Sequence, residues 1–418
     1  MILFLVKYYL EAKLFGCLPE SYIKQIHIRR FRKIFEWARE HSEFYRQLYT
    51  EAGVMDLRIE SFDDIKKVPI VDKGMMKRFD LESILTCSPS QPLAINRTSG
   101  SNGVPFAVYS SKREHFTGYV RSFMALKGYT PFKKFVLVGV FEEKEKLEKG
   151  SFLQIFQKYF GVFRREAYSV LTPAPVLIAK LQRKNISFLS STPTCLQVLA
   201  EELKKSRNKL NISYIISSGE TLNPEVKHEL KMYFNAKVID VYGCMELPSM
   251  AWTRPGSKTF RYALNTMLPE YIKCTNNPEN LFGDLVFTNF INRTMPFIRY
   301  RVGDQLEKSE KYNRLGTIMG RADDILELTE GRKLHVVQLY VFSKINGIAQ
   351  YKFYQNKGGE IYFYVVPEYG ADLRKIREAV LKTWKTNIGD YSLEVEFKTD
   401  LPLNTRTGKF KRIEKEVI

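Results

Sequence analysis

From about residue 130, short apolar runs alternate with longer segments in which apolar residues recur every three or four positions. The short runs are rich in Val, Ile and Phe and predict buried β-strands, whereas the longer segments predict amphipathic helices. The predicted strands are 134–140, 186–193, 213–220 and 236–243, and the predicted helices between them are 174–184, 194–206 and 224–234. Because buried strands alternate with helices, the pattern predicts an α/β fold with a largely parallel sheet, in which ligands bind beyond the carboxyl ends of the strands.

The pattern differs at both ends of the chain. Residues 20–50 have helical spacing, and residues 283–309 resemble antiparallel strands joined by turns. The C-terminal part predicts strands near 351–355, 360–366 and 392–398 and a helix near 371–385. The predicted architecture is therefore a large N-terminal domain, 1–322, with parallel sheets, helices and a small antiparallel β subdomain, followed by a small mobile α+β domain, 323–418.

Composition excludes several classes of protein. The 418 residues are 44% hydrophobic and 27% charged, which is typical of a globular protein. Eighteen apolar residues never occur in succession, so the sequence predicts no membrane-spanning helix, and the N-terminal residues lack the features of a signal peptide. The five cysteines are scattered and never spaced as CxxC, which argues against a disulfide framework and a zinc ribbon. We therefore expect a reduced, cytoplasmic protein.

The net charge of +19 favours polyanions, anionic membrane surfaces or phosphate-bearing ligands as partners. The densest basic cluster, HIRRFRKIF (27–35), has helical spacing. It is interpreted either as a packed helix with a solvated basic face or as a helix lying on a membrane. The charge is also compatible with nucleic-acid binding, but the sequence contains no recognisable nucleic-acid-binding module.

The segment RTSGSNGVPF (97–106) cannot hold a helix or a strand, because its glycines and proline interrupt both. Its N–H and O–H groups suit the cradling of a phosphate, and an ordinary surface loop is the alternative.

Four further motifs follow predicted strands or lie near the C-terminus: SSGETL (217–222), VYGCME (241–246), RYRVGD (299–304) and LNTRTGKF (403–410). For the first, taken alone, an ordinary strand-to-helix turn with Gly219 is the favoured interpretation. In the second, an aromatic residue, a glycine that permits close approach and a carboxylate could stack a base and hold a divalent cation. In the third, Asp304 is predicted at a turn, where its oxygens could bind the hydroxyls of a ribose. In the fourth, Lys409 is either a functional residue or an ordinary solvent-exposed lysine.

Taken in order, TSGSNG, SSGE, YGCME, RYRVGD, GRADD and TGK resemble the motifs of the adenylate-forming superfamily, and most closely those of the phenylacetate–CoA ligase branch and its capsule-biosynthesis relatives. The resemblance extends from about residue 28 to residue 412. It implies a large domain that holds the nucleotide and acyl pockets, and a smaller domain that rotates about a hinge at Asp323.

The resemblance also implies roles for individual residues. The loop that closes over the β- and γ-phosphates of ATP would be formed by Thr98, Ser99, Gly100, Ser101 and Gly103. The family commonly has a lysine where this chain has Val104, and Arg97 is a candidate to replace that charge. The remaining contacts to the nucleotide would come from Gly219, Glu220, Tyr242, Gly243, Asp304 and Arg321.

Catalysis is assigned to two residues by the same resemblance. Glu246 would hold Mg²⁺, and Lys409 would drive adenylate formation, since a metal and a mobile lysine stabilise charge that builds on the α-phosphate. Thiol attack would use a different face of the small domain, around Gly331.

The implied activity is activation of a carboxylic acid by ATP and Mg²⁺ to an acyl-adenylate with release of pyrophosphate, followed by transfer to a thiol, that of coenzyme A. The alternatives are transfer to a sugar amine or hydroxyl in polysaccharide assembly and a nucleotide-binding scaffold that has lost catalysis. Met245, Leu247 and Trp252 are candidates to border the acyl pocket or to pack in the core. A homodimer and a peripheral contact with the inner face of the membrane are further hypotheses.

Overall fold

A computed structural model provides the coordinates of the chain. It describes residues 10–11, 14–97, 106–115, 133–139, 165–207, 209–257, 259–273, 282–309, 311–321, 325–329, 332–402 and 410–416.

The helices are α1 Glu20–His41, α2 Glu43–Glu51, α3 Phe62–Lys67, α4 Lys73–Met76, α5 Leu81–Ile84, α6 Ala174–Gln182, α7 Pro193–Ser206, α8 Pro224–Phe234 and α9 Leu373–Asn387, with a 3₁₀ helix at Val336–Lys344. The strands are β1 Leu93–Arg97, β2 Ala107–Ser111, β3 Phe135–Gly139, β4 Arg165–Ser169, β5 Phe188–Ser191, β6 Tyr214–Ser218, β7 Lys237–Tyr242, β8 Ala251–Thr253, β9 Phe260–Tyr262, β10 Met267–Lys273, β11 Phe282–Asn289, β12 Tyr300–Glu307, β13 Arg314–Leu315, β14 Ile318–Arg321, β15 Ile325–Glu327, β16 Lys333–His335, β17 Ile348–Gln355, β18 Ile361–Pro367, β19 Glu394–Phe397 and β20 Ile413–Lys415.

The central sheet has the strand order β13-β9-β8-β7-β6-β5-β3-β4. Strands β7, β6, β5, β3 and β4 pair in parallel, and β8, β9 and β13 extend the sheet with antiparallel pairs. Helices α6, α7 and α8 connect these strands and bury leucines against them. The predicted α/β fold is thus confirmed, and each of the four predicted strands and three predicted helices overlaps an observed element.

A second, antiparallel sheet has the order β10-β11-β12-β14. Arg299, immediately before β12, is 4% exposed and pairs with the carboxylate of Glu270 on β10, with Nη2 to Oε1 at 2.9 Å. Its Nη1 also donates to the carbonyl of Lys66 at 2.7 Å, which ties the N-terminal helices to this sheet. Asp304 lies within β12 and not at a turn, which corrects the sequence-based prediction. Gly303 has φ of +88°, and the strand accommodates it beside an irregular register.

The C-terminal residues form a sheet with the order β19-β18-β17-β20, covered by α9. Their apolar side chains make a cluster of their own that runs from Leu326 to Ile413 and includes Phe353, Phe363 and Trp384. Below, "the C-terminal unit" means residues 325–416. The predicted boundary at 322/323 falls beside residues outside the described ranges and stays a prediction.

Helix α1 carries the basic cluster, and its apolar face packs in the core through Phe31, Ile34 and Phe35. Its His27 is fully buried and bridges two parts of the chain. The Nε2 atom lies 2.7 Å from the carbonyl oxygen of Leu264, and Nδ1 lies 2.5 Å from the hydroxyl of Tyr312. This packing favours the interpretation of α1 as a packed helix. Among the described residues, no helix is both long and apolar enough to cross a membrane.

Candidate active site

The loops after β5, β6 and β7 lie side by side, because these strands are neighbours in the sheet and parallel. Thr194 belongs to the start of α7 just after β5, Glu220 follows β6, and Tyr242 ends β7. The structure therefore brings these side chains to the carboxyl edge of the sheet, where parallel sheets bind ligands.

Glu246, four residues beyond β7, is 8% exposed, and its Oε1 accepts a hydrogen bond of 2.8 Å from the hydroxyl of Tyr300 on β12. Burial, with the charge of Glu246 as a second cause, raises the pKa of Tyr300. Tyr300 therefore stays protonated and donates to the carboxylate. Burial also raises the pKa of the neighbouring Cys244 thiol well above its usual value, with the charge of Glu246 again contributing. Cys244 is thus a neutral thiol rather than a thiolate nucleophile.

A second tyrosine–carboxylate pair joins the same two regions, but here the tyrosine belongs to β7 and the carboxylate to β12. The hydroxyl of Tyr242 on β7 donates to Oδ2 of Asp304 on β12 at 2.5 Å. Burial, followed by the charge of Asp304, raises the pKa of Tyr242 well above its usual value. In the antiparallel sheet, Asp304 on β12 stands opposite Arg321 on β14. The fold therefore brings together three residues predicted to contact the nucleotide: Tyr242, Asp304 and Arg321.

The carboxylate of Glu220 accepts hydrogen bonds at both of its oxygens. Its Oε2 accepts from the backbone N–H of Thr194 at 3.1 Å and from the Thr194 hydroxyl at 2.7 Å. The N–H of Thr194 belongs to the first turn of α7 and has no partner within that helix. The Oε1 atom of Glu220 accepts a hydrogen bond of 3.0 Å from the backbone N–H of Phe410, in the C-terminal unit.

Local backbone geometry explains why two positions of the predicted site are glycines. Gly219 has φ of +87°, a conformation that favours glycine at the turn after β6. A Cβ at Gly243 would lie 2.5 Å from the backbone nitrogen of Ser249, so the loop after β7 leaves no room for a side chain there.

The other predicted site residues lie outside the described residues, and their roles stay predictions: Thr98, Ser99, Gly100, Ser101, Gly103 and Lys409, together with Val104, Asp323 and Gly331. Only the backbone of Arg97 and Arg321 is described.

Sequence inspection did not single out Tyr300 or Thr194. Tyr300 stands within the quoted motif RYRVGD, but its partner Glu246 is 54 residues away along the chain. Of the residues suggested for the acyl pocket, Leu247 is buried in the large core cluster and Trp252 packs against the central sheet. Met245 is 42% exposed. Core packing is therefore the better interpretation for Leu247 and Trp252.

The donor set suits a magnesium ion that arrives with a nucleotide. Among the described residues, no cluster of three or more His, Cys, Asp or Glu side chains could hold a metal by itself. Mg²⁺ commonly binds through one or two carboxylates plus the phosphates of its substrate. Glu246, with one oxygen fixed by Tyr300, fits that role.

No protein-family model matches the chain. The chain is 24% identical over 333 residues to a phenylacetate–coenzyme A ligase of Thermus thermophilus, covering 74% of this chain and 72% of the relative. It is also 22% identical over 398 residues to Protein CapK of Staphylococcus aureus, covering 91% and 86%.

Among solved structures, the chain matches 2-hydroxyisobutyryl-CoA ligase in the postadenylation state, in complex with R3-HIB-AMP. The TM-score is 0.79 with 18% identity, over 96% of this chain and 90% of the other. The chain has the adenylate-forming ligase fold. The resemblance drawn from the ordered motifs is thereby confirmed. The same ligase in the thioesterification state, in complex with 2-HIB-AMP and CoA, gives a TM-score of 0.63 over 96% and 91% of the two chains.

Proposed function

We propose that the protein is an AMP-forming acid–thiol ligase. It activates a carboxylic acid with ATP to an acyl-adenylate, releases pyrophosphate and then transfers the acyl group to the thiol of coenzyme A. The observation that carries the proposal is the pair of carboxylates, Glu246 and Asp304, each hydrogen-bonded to a tyrosine at the carboxyl edge of the sheet. Relatives that share this fold bind acyl-adenylates or are named as CoA ligases.

In this proposal, the nucleotide lies across the loops after β6 and β7. Asp304 and Arg321 bind the ribose, Tyr242 stacks on the base, and Glu246 holds Mg²⁺. The metal would offset the negative charge of the phosphates while the acid attacks the α-phosphate. Tyr300 keeps the Glu246 carboxylate in place by donating to its Oε1. Lys409 stabilises the charge that develops on the non-bridging oxygens.

The division into 1–322 and 323–418, and rotation of the smaller domain about Asp323, belong to the same proposal. The separate apolar cluster of the C-terminal unit supports it. A cytoplasmic location, a peripheral membrane contact and a homodimer stay hypotheses from the sequence.

A screen of carboxylic acids, phenylacetate first, tests the proposal. Purified protein is expected to exchange labelled pyrophosphate into ATP only when a suitable acid and Mg²⁺ are present. Coenzyme A should then consume the adenylate and form a thioester. ATP binding without exchange for any acid in the panel would instead favour the catalytically degenerate scaffold.

A second candidate acceptor is a sugar amine or hydroxyl. The similarity to Protein CapK favours testing it, because that similarity covers more of both chains than the similarity to the phenylacetate–CoA ligase does. Adenylate that persists with coenzyme A but disappears with an amino sugar would identify this alternative.

A further inference from the structure

The Glu220 carboxylate lies between two parts of the fold that are distant in sequence. One oxygen is fixed to the first turn of α7 by both the N–H and the hydroxyl of Thr194. The other oxygen accepts the backbone N–H of Phe410, 190 residues further along the chain. A hydrogen bond to an ionised carboxylate is stronger than one between neutral groups. Glu220 therefore makes a directed contact between the nucleotide-side loops and the C-terminal unit.

Phe410 is in turn fixed within the C-terminal unit. The guanidinium of Arg412 and the ammonium of Lys352 each lie 5.6 Å from the centre of its ring. The carbonyl of Arg412 accepts the N–H of Phe353 at 2.8 Å, at the start of the parallel pairing between β20 and β17. The backbone at Phe410 is therefore held on one side by this sheet and on the other by Glu220.

The next residue toward the N-terminus is Lys409. The peptide unit whose N–H reaches Glu220 is the one that links Lys409 to Phe410.

We infer that Glu220 is a positioning residue for Lys409 during adenylation. This inference rests on the proposed function. Glu220 accepts the N–H of Phe410, the residue that directly follows Lys409 in the sequence, when the C-terminal unit is docked as in this structure. Adenylate formation needs this contact, whereas attack by the thiol on a finished adenylate does not.

Experiments can distinguish a positioning role of Glu220 from a role in the wall of the adenine pocket. A residue that binds adenine affects the KM for ATP and also the use of a ready-made acyl-adenylate, since both carry the same base. A residue that positions Lys409 affects the kcat of adenylation and leaves the KM for ATP and the thiol step unchanged.

The variant Glu220→Gln tests this difference in the full-length protein. Glutamine can accept hydrogen bonds at only one of its two end atoms, so its NH₂ group must face either Thr194 or the Phe410 N–H. We expect the kcat of adenylation to fall by about 10- to 100-fold, as for the loss of a hydrogen bond to a charged group. Thioester formation from chemically prepared acyl-adenylate should stay at the wild-type rate. Exchange of the Phe410 amide hydrogen with solvent should become faster.

Ser343→Ala is the control. It removes a different contact between the C-terminal unit and the start of α8 but leaves the Phe410 contact in place, so adenylation should stay within about fivefold of the wild type. Thermal unfolding of both variants is measured alongside.

Each outcome for Glu220→Gln decides the matter. A raised KM for ATP together with slower use of the prepared adenylate would assign Glu220 to the adenine pocket and overturn the inference. Equal loss of both half-reactions with a lower Tm would show a structural role and also overturn it, as would an unchanged kcat of adenylation. If the wild-type protein adenylates no acid, the proposed function fails, and the exchange rate of the Phe410 amide still reports whether Glu220 makes the contact.

Discussion

Glu246 and Glu220 follow neighbouring strands of one sheet, β7 and β6, yet their carboxylates are held in different ways. Glu246 is 8% exposed and bonded to Tyr300, a residue of the antiparallel sheet that precedes the C-terminal unit. Glu220 is half-buried and bonded to the backbone of the C-terminal unit itself. Glu246 therefore keeps its partner whatever the C-terminal unit does, whereas Glu220 keeps its Phe410 contact only in one arrangement of the chain. In the proposed mechanism, residues of the first kind are therefore expected to serve both half-reactions, and those of the second kind only one.

The largest effect is expected for Lys409→Ala. We expect acyl-adenylate formation to fall by about 10²- to 10³-fold, because a charge that stabilises the transition state is lost. Thioester formation from prepared adenylate should continue near the wild-type rate. The measurement is a comparison of the two half-reactions, with the Tm as a check on folding. Loss of neither half-reaction would remove Lys409 from the mechanism.

Glu246→Gln should lower pyrophosphate exchange by about 10²-fold and shift its dependence on Mg²⁺ to higher concentrations. The glutamine oxygen can still accept from Tyr300, so the fold should be retained. Exchange is measured over a magnesium titration. Wild-type exchange at every magnesium concentration would show that Glu246 does not hold the metal.

Tyr300→Phe should reduce the kcat of exchange by about tenfold, because the Glu246 carboxylate loses the donor that orients it. The variant should also be less stable by about 1–3 kcal/mol, since a buried acceptor loses its partner. Tyr45→Phe is the control, as the buried hydroxyl of Tyr45 donates to the carbonyl of Pro296 at 2.9 Å, away from the carboxylates. Comparable loss of activity in both variants would mean that Tyr300 acts through stability alone.

Ser343→Ala should have the smallest effect. The Ser343 hydroxyl bonds to Asn223 at 2.8 Å and to Glu225 at 3.1 Å, and so joins the 3₁₀ helix of the C-terminal unit to the start of α8. These contacts do not involve Glu220 or Phe410, so we expect adenylation to change by less than about fivefold. A loss as large as that of Glu220→Gln would show that docking in general, and not the contact at Phe410, limits adenylation.

The sequence predicted the local elements of the central sheet and of the C-terminal unit closely, because buried strands and amphipathic helices each leave a pattern within a few residues. The predicted helix 224–234, for example, coincides with α8. Predictions about single positions were less secure. Asp304 was predicted at a turn, but the strand β12 continues through Gly303, which has a positive φ, and includes Asp304.

Local sequence patterns could not predict which residues the site residues contact. Tyr242 meets Asp304 across 62 residues, and Glu220 meets Phe410 across 190. Such contacts depend on how two sheets and the C-terminal unit pack together, and a single sequence records no trace of that packing. The ordered motifs named candidate site residues, but not which of them are in contact.

The buried His27 makes the folded state sensitive to acid. A carbonyl can only accept, so Nε2 carries the proton toward Leu264 and Nδ1 accepts from the hydroxyl of Tyr312. Burial, as the largest cause, lowers the pKa of His27 to about 4 from its usual 6.5. As the pH falls below 6.5, the His27 imidazole becomes protonated in the unfolded chain but stays neutral in the folded chain. Hydrogen ions therefore act as a ligand that binds only the unfolded state. Acidification from pH 7.5 to 5 should therefore lower the free energy of unfolding by about 2 kcal/mol through this one ring. In His27→Gln, urea unfolding at the two pH values should show a pH dependence smaller by that amount, and an unchanged dependence would mean that the ring already accepts a proton in the folded protein.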